Sequence, residues 1–158
     1  MTTSELLQFL RTHRLAVQAS VSPERAPQSA VVGIAVTDSF ELVFDTLDTT
    51  RKMGNLRRNS RMAFVIGGVA EGDERTAQYE GIADAPQGPE LERVKAAYYE
   101  TWPDGRSRAE WPGLVYVRVR PTWIRFSDFN RAPPMVVEFD ADALIGGVAT
   151  GPPLPKVS

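Results

Sequence analysis

The chain has 158 residues, of which 18 are basic and 20 are acidic, so its net charge is −2. This length suits a single domain, and the near balance of charge argues against a nucleic-acid-binding surface, which is normally basic. The sequence contains no cysteine, which excludes disulfides, thiolate nucleophiles and thiolate metal sites. His13 is the single histidine, so we expect no metal site built on several imidazoles.

The start of the chain does not resemble a signal peptide. Residues 1–14 carry Glu5 and Arg11 around a short run of leucine and phenylalanine, without the order of basic and then apolar residues that a signal peptide has. No stretch approaches the roughly 18 apolar residues that a membrane span requires. We therefore expect a cytoplasmic protein with no membrane partner.

The first half of the chain alternates strand patterns with two short helices. Leucines at helical spacing predict a helix over Ser4–Thr12 with Ser4 as its N-cap. Thr50–Asn59 lacks the alternation of apolar and polar residues that is typical of a strand, and it is predicted to be a short helix. Alternation of apolar and polar residues, bounded by turn formers, predicts three strands at Leu15–Val21, Ala30–Val36 and Glu41–Asp45.

The second half continues with strands around one longer helix. Strands are predicted at Arg61–Val69, Arg75–Ala85 and Leu114–Phe126, and a helix is predicted over Glu90–Thr101. After Asn130 the chain is rich in Pro, Gly and Ala, and only Met135–Phe139 looks like a strand. A mainly β protein, either a barrel or a sandwich, accounts for this order of elements.

The segment from Thr46 to Lys52 carries the clearest chemical signal. A strand ends there in hydroxyl residues, and the following helix begins with Arg51 and Lys52. A helix start already carries partial positive charge, so two cations in its first turn are unfavourable unless an anion lies beside them. Thr50 is placed to cap the helix or to donate its hydroxyl to a phosphate, Arg51 to bind two oxygens and Lys52 to add a point charge.

A purely structural explanation of the same residues remains open at this point. Asp48 can neutralise Arg51 across the helix start, and Arg57, Arg58 and Arg61 can form a solvated basic face.

The order of these features resembles the pyridoxamine 5'-phosphate oxidase-like family of FMN-binding split barrels. The resemblance covers about Leu6 to Asp128. The family's strand ending in Phe-x-Thr and its Ser/Thr-Arg-Lys turn are matched by Phe44, Thr46, Thr50, Arg51 and Lys52. Further matches are Asn55-Leu56, Asn59-Ser60-Arg61, Glu80-Gly81-x-Ala83 and Pro121-x-Trp123-Ile124-Arg125-Phe126.

This resemblance implies a six-stranded antiparallel split barrel with short flanking helices. Residues 1–128 would be the FMN-binding domain and residues 129–158 a Pro/Gly-rich C-terminal arm. It also implies a homodimer with the flavin at the subunit interface. The implied cofactor-binding residues are Gln28, Ser29, Ala30 and Val31 along the flavin ring, Thr46, Thr50, Arg51 and Lys52 at the phosphate, Gln78 on a later strand, and Trp102 from across the interface.

The implied function is that of an FMN-dependent oxidoreductase, which passes hydride or electrons between NAD(P)H and a small, flat, electron-poor substrate. The chain lacks the basic second strand and the Arg-His-rich C-terminal motif of the vitamin B6 oxidases, so we do not expect it to oxidise pyridoxamine phosphate. No catalytic side chain is assigned. Two alternatives remain: a reductase that uses the deazaflavin F420, and a non-catalytic protein that stores or senses flavin. Haem binding is less favoured, because His13 alone supplies an imidazole.

Overall fold

The computed structural model describes residues 1–146, which form four α-helices and eight β-strands. The helices are α1 (Thr3–Thr12), α2 (Arg51–Leu56), α3 (Gly88–Thr101) and α4 (Ala141–Gly146), and a 3-10 helix spans Pro103–Arg108. The strands are β1 (Leu15–Val21), β2 (Pro27–Gly33), β3 (Ala35–Val36), β4 (Leu42–Leu47), β5 (Arg61–Gly67), β6 (Arg75–Asp84), β7 (Leu114–Asp128) and β8 (Met135–Asp140). Within residues 1–146, none of the helices is long and apolar enough to cross a membrane.

The strands form one antiparallel sheet in the order β2-β1-β5-β6-β7-β4-β3, with β8 added along β7. The two ends of this order, β2 and β3, follow each other in the chain with only Ile34 between them. The sheet therefore curls until its ends meet, which gives the expected mainly β barrel. The length of β7 makes this possible, because its first half pairs with β4 and its second half with β8.

The strand count of six was wrong. The predicted strand Ala30–Val36 is divided between β2 and β3, which sit at opposite ends of the sheet order. The eighth strand comes from the Pro/Gly-rich segment, where Met135–Phe139 looked like a strand by itself. Strand β7 also continues through Pro121, and the register of its pairing with β6 shifts next to that proline, between Glu80 and Gly81.

Alternating side chains fill the inside of the barrel. On β1 the even-numbered residues face inward and are buried, whereas Leu15 and Val17 face outward. The ring of Tyr79 is fully buried, and its hydroxyl donates to the carbonyl oxygens of Phe40 (3.1 Å) and Val119 (2.7 Å). One side chain thus ties the turn before β4 to β7 inside the core.

Helix α1 covers one end of this core with Leu6, Phe9 and Leu10. Its N-cap is Thr2, so the prediction of Ser4 was wrong. The reason is a capping box: the Thr2 hydroxyl accepts from the Glu5 amide at 3.2 Å, and the Glu5 carboxylate accepts from the Thr2 amide at 2.6 Å.

The described part of the predicted arm lies against the barrel. Strand β8 pairs along β7 from Met135 to Asp140, and Phe139 and Leu144 are buried in the core. Residues 147–158 of the arm lie outside the described residues. The division of the chain at residue 128 stays a prediction.

A buried network of charges joins α3 to the sheet. The Arg118 guanidinium donates to Asp84 at 2.9 and 2.7 Å and to Glu90 at 2.6 Å. Arg93 binds Glu41, whose side chain is only 8% exposed. Arg118 and Glu41 are shielded from water, whereas Arg93 and Glu90 are partly exposed, and each carboxylate has a cationic partner that balances its charge.

The network predicts how stability depends on pH. The hydrogen bond from Arg118 lowers the pKa of Asp84 below its ordinary value in the unfolded chain. Asp84 therefore contributes stability above pH of about 4, and this contribution is lost as the pH falls through the folded-state pKa. We expect the melting temperature of Asp84→Asn to fall less steeply below pH of about 4 than that of the wild type. A variant that loses melting temperature in acid as steeply as the wild type would contradict this.

Candidate functional site

The turn between β4 and α2 gathers the predicted phosphate residues. The Thr46 and Thr50 hydroxyl oxygens lie 3.3 Å apart, and the Lys52 ammonium donates to the Thr46 hydroxyl at 3.4 Å. Thr50 occupies the N-cap position of α2, yet its hydroxyl donates to the Leu47 carbonyl at 2.9 Å and makes no cap hydrogen bond. The first turn of α2 therefore has neither a side-chain cap nor an acidic residue.

Asp48 does not neutralise Arg51 in the structure, so the purely structural explanation of these charges does not hold. The carboxylate of Asp48 packs on Gly113, where a Cβ would meet its Oδ1 at 2.7 Å. Arg51 is exposed and makes no ion pair with any residue in the described part of the chain. The two hydroxyls, the ammonium and this guanidinium form a donor set of the kind that binds a phosphate dianion.

A buried asparagine joins this turn to β2. Asn55 of α2 is 4% exposed, and its amide donates to the hydroxyl of Ser20 at 2.9 Å and to the side-chain oxygen of Gln28 at 3.0 Å. The predicted ring residue Gln28 is thereby held beside the helix that carries Lys52. Asn55 belongs to this candidate site by its contacts and was not among the predicted site residues, although it lies inside the matched Asn-Leu motif.

The other predicted residues of β2 are open to solvent. Ser29, Ala30 and Val31 are exposed, and Val32 is buried. Strand β2 stands at one end of the sheet order and pairs with β1 along one edge. Among the described strands no partner pairs with the other edge of residues 27–33, so backbone donors and acceptors there are free to bind a ligand.

An apolar row runs across the outside of the barrel from β2. Val31 pairs with Val17, and Val17 pairs with Val65; their exposed fractions are 64%, 37% and 44%. Gln78 is exposed beside Val65 in the same row. However, Gln78 pairs with Arg125 near the far end of β7, whereas Thr46 pairs with Val115 near its start. One subunit therefore does not bring Gln78 to the turn.

Trp102 lies at the opposite end of β2 from Gln28. Its indole N–H donates to the Ile34 carbonyl at 3.0 Å, and the guanidinium of Arg14 stacks 4.0 Å above its ring. A Cβ on Gly33 would lie 2.8 Å from the indole. Within one subunit the tryptophan packs at the break between β2 and β3.

A shallow groove of about 370 Å³ opens on the outside of the sheet beside the β1–β2 hairpin. Its lining includes the small residues Ala19, Ala63 and Gly81, with Arg61 and Glu80 as its charged members. The volume suits a small ligand. The groove lies at the point where the β6–β7 register shifts, a feature that often occurs next to functional sites.

A family model described as pyridoxamine 5'-phosphate oxidase matches residues 2–128. No curated protein is significantly similar in sequence. Several solved structures share the fold. A heme binding protein from Mycobacterium smegmatis has a TM-score of 0.78 at 18% identity over 93% of this chain, which spans 61% of that protein.

Two further structures show the range of ligands that similar proteins hold. A pyridoxamine 5'-phosphate oxidase-related, FMN binding protein from Nostoc punctiforme has a TM-score of 0.65 at 12% identity, over 87% of each chain. A heme storage protein from Vibrio cholerae has a TM-score of 0.65 at 13% identity, over 75% of this chain and 88% of its own. At these identities the likeness establishes the fold alone.

Proposed function

Because this chain belongs to the pyridoxamine 5'-phosphate oxidase family, we propose that it is an FMN-dependent oxidoreductase. The observation that carries the proposal is the gathering of Thr46, Thr50 and Lys52 at the end of β4, with Arg51 left without an acidic partner in the described chain. Bound FMN would supply redox chemistry of the kind that transfers hydride or electrons between NAD(P)H and a small, flat, electron-poor substrate.

The protein's part is to hold and orient the cofactor. Thr46 would donate its hydroxyl hydrogen to the phosphate, Lys52 would contribute a point charge, and Arg51 would bind two oxygens. Thr50 would join them as a donor only by giving up its hydrogen bond to the Leu47 carbonyl. Gln28 and the free edge of β2 bind the polar edge of the ring, while Val31 covers part of its face. The link from Asn55 to Gln28 supports this assignment, since it holds β2 against the phosphate turn.

The proposed active form is a homodimer with the flavin at the interface. The predicted ligand Gln78 pairs near the other end of β7 from Thr46 within one subunit, so it joins the site only if the partner contributes it. Trp102 is held by the Ile34 carbonyl at the break between β2 and β3, and we assign it to the partner's site as well. The apolar row of Val31, Val17 and Val65 suits such an interface, since it exposes three valines side by side.

The test is a titration of the purified protein with FMN and with riboflavin, which lacks the phosphate. We expect FMN to bind at least about 100-fold more tightly than riboflavin, since several charge-assisted hydrogen bonds depend on the phosphate. Bound FMN should then be reduced by NADH or NADPH. Equal affinities for FMN and riboflavin would overturn the assigned site, and tight binding without reduction would favour a flavin store or sensor.

The deazaflavin F420 is a second candidate because cations continue beyond the turn. Arg58 and Arg61 are exposed, and neither makes an ion pair within residues 1–146, so both are available to an acidic tail. Titration with F420 alongside FMN separates the two cofactors. F420 binding that exceeds FMN binding and weakens in Arg58→Ala with Arg61→Ala would replace FMN by F420 in this proposal.

Haemin belongs in the same titration, because two of the similar structures are haem proteins. His13 is the one imidazole in the chain, and its Nδ1 lies 2.9 Å from the Phe9 carbonyl oxygen. Haemin binding that is lost in His13→Ala, together with no binding of FMN, would contradict the flavin proposal.

The interface proposal predicts the effect of one charge. Val31→Asp should weaken the dimer at least about tenfold, because it buries a carboxylate in an apolar contact. Analytical ultracentrifugation of the wild type and the variant over a range of concentrations measures this. Val69→Asp is the matched control, since Val69 is 86% exposed between β5 and β6. A wild type that is monomeric at all concentrations would contradict the dimer.

A further inference from the structure

We propose that Asp45 is a positioning residue for the phosphate site, although its side chain faces away from that site. It holds the end of β4 in place through Tyr98 and Arg108, and so sets where Thr46 stands. This inference rests on the proposed function, since it concerns how well the same turn holds the FMN phosphate.

Asp45 is clamped on both carboxylate oxygens. The Tyr98 hydroxyl donates to Oδ1 at 2.9 Å, and Nε of Arg108 donates to Oδ2 at 3.1 Å. The side chain of Asp45 is only 15% exposed, and Tyr98 is 2% exposed. Because both partners are themselves held in place, the carboxylate has little freedom to move.

The clamp is built by the last turn of α3 and the 3-10 helix that follows it. Gly105 lies against the Tyr98 ring, where a Cβ would be 2.8 Å from Cε1. Arg108 is further oriented by the Tyr98 hydroxyl at 3.3 Å and by Asp104 at 3.1 Å. Tyr98 of α3 and Arg108 of the 3-10 helix are therefore oriented together, and each donates one hydrogen bond to Asp45.

The same segment also holds the other side of the turn. The Asp48 amide donates to the Gly113 carbonyl at 2.8 Å, and Gly113 has φ of +76° with no room for a Cβ beside Asp48. Arg57 of the C-cap of α2 donates to the Asp48 carbonyl at 3.0 Å. Residues 98–113 therefore hold the backbone at Asp45, just before Thr46, and at Asp48, just after Leu47.

The position of Asp45 separates this role from direct binding. Residues alternate across β4, so the side chain of Asp45 lies on the outer face while its neighbours Phe44 and Thr46 are buried on the inner one. Its negative charge is neutralised by Arg108. Asp45→Asn also removes this negative charge, which by itself would favour an anion, so a loss of FMN affinity reports movement of the backbone that carries Thr46. Tyr98→Phe leaves every charge in place and isolates that movement.

The test compares the ratio of FMN affinity to riboflavin affinity in wild type and Asp45→Asn. Asparagine keeps the size but loses the ion pair, and we expect FMN affinity to fall about tenfold, equal to one charge-assisted hydrogen bond out of place, with riboflavin affinity unchanged. Tyr98→Phe removes one hydrogen-bond donor to Asp45 and keeps the aromatic ring. It should lower the ratio of FMN affinity to riboflavin affinity by about threefold. This variant still tests the inference if Asp45→Asn fails to fold.

Glu41→Gln is the matched control. Glu41 is also a buried, arginine-paired carboxylate beside β4, but it lies at the other end of that strand. It should lower stability and leave the ratio unchanged. If wild-type protein shows no preference for FMN over riboflavin, the proposed function and this inference both fail. If the wild type shows the preference and Asp45→Asn and Tyr98→Phe keep the wild-type ratio, only the role of Asp45 is overturned.

Discussion

Replacing Arg51 and Lys52 together with alanine is expected to weaken FMN binding by roughly 100-fold to 10,000-fold. Each cation contributes a charge-assisted hydrogen bond to the phosphate, worth about 1.5–3 kcal/mol. Neither residue supports the fold: Arg51 is exposed, and Lys52 makes one long contact, 3.4 Å, to Thr46. The double variant should therefore keep the wild-type melting temperature. Fluorescence titration with FMN measures the loss, and riboflavin affinity should stay the same.

A second pair of cations gives the control for overall charge. Arg58 and Arg61 are exposed just beyond α2, and Arg58→Ala with Arg61→Ala removes the same two charges without touching the turn. We expect FMN affinity to change less than about threefold in this variant, because exposed charges at a distance are screened by salt. Equal losses in both double variants would mean that FMN responds to the net charge of this surface, and the assigned phosphate turn would then be wrong.

The phosphate site could be predicted from the sequence because its residues are close together in the chain. Thr46, Thr50 and Lys52 fall within one turn between a strand and a helix, so their meeting follows from local geometry. The bounds of β1 were predicted correctly as Leu15–Val21 for a similar reason. The alternation of apolar and polar residues predicted the strand, but the faces are reversed: the polar Gln18 and Ser20 are buried, and the apolar Leu15 and Val17 are exposed.

The contacts that complete the site join distant residues and left no local pattern. Asn55 reaches Gln28 across 27 positions, and Arg108 reaches Asp45 across 63. The meeting of β2 and β3, which closes the barrel, also depends on the curvature of the whole sheet. Met135–Phe139 was recognised as strand-like, but its Pro- and Gly-rich surroundings led to the prediction of an arm, and its pairing with β7 was not predicted. The roles of the ring residues Gln28, Ser29, Ala30 and Val31 stay predictions.

Replacing Arg118 with methionine is expected to lower the free energy of unfolding by about 3 kcal/mol, since it removes one partner from a buried charge network. The Arg118 side chain is only 10% exposed, and it lies 2.7 Å from Asp84, 2.6 Å from Glu90 and 3.7 Å from Glu41. Methionine retains much of the aliphatic contact, so the loss reports on charge. Urea unfolding of the wild type and the variant measures it.

Arg120→Met tests whether burial decides this effect. Arg120 binds the same carboxylate, Asp84, at 2.9 Å, but its side chain is 50% exposed. An exposed ion pair of this kind contributes less than about 1 kcal/mol, because water and salt screen it. If the two methionine variants unfold at the same urea concentration, burial of Arg118 does not raise its contribution to the free energy of unfolding above that of the exposed Arg120. The packing of α3 against β7 would then not depend on the buried guanidinium.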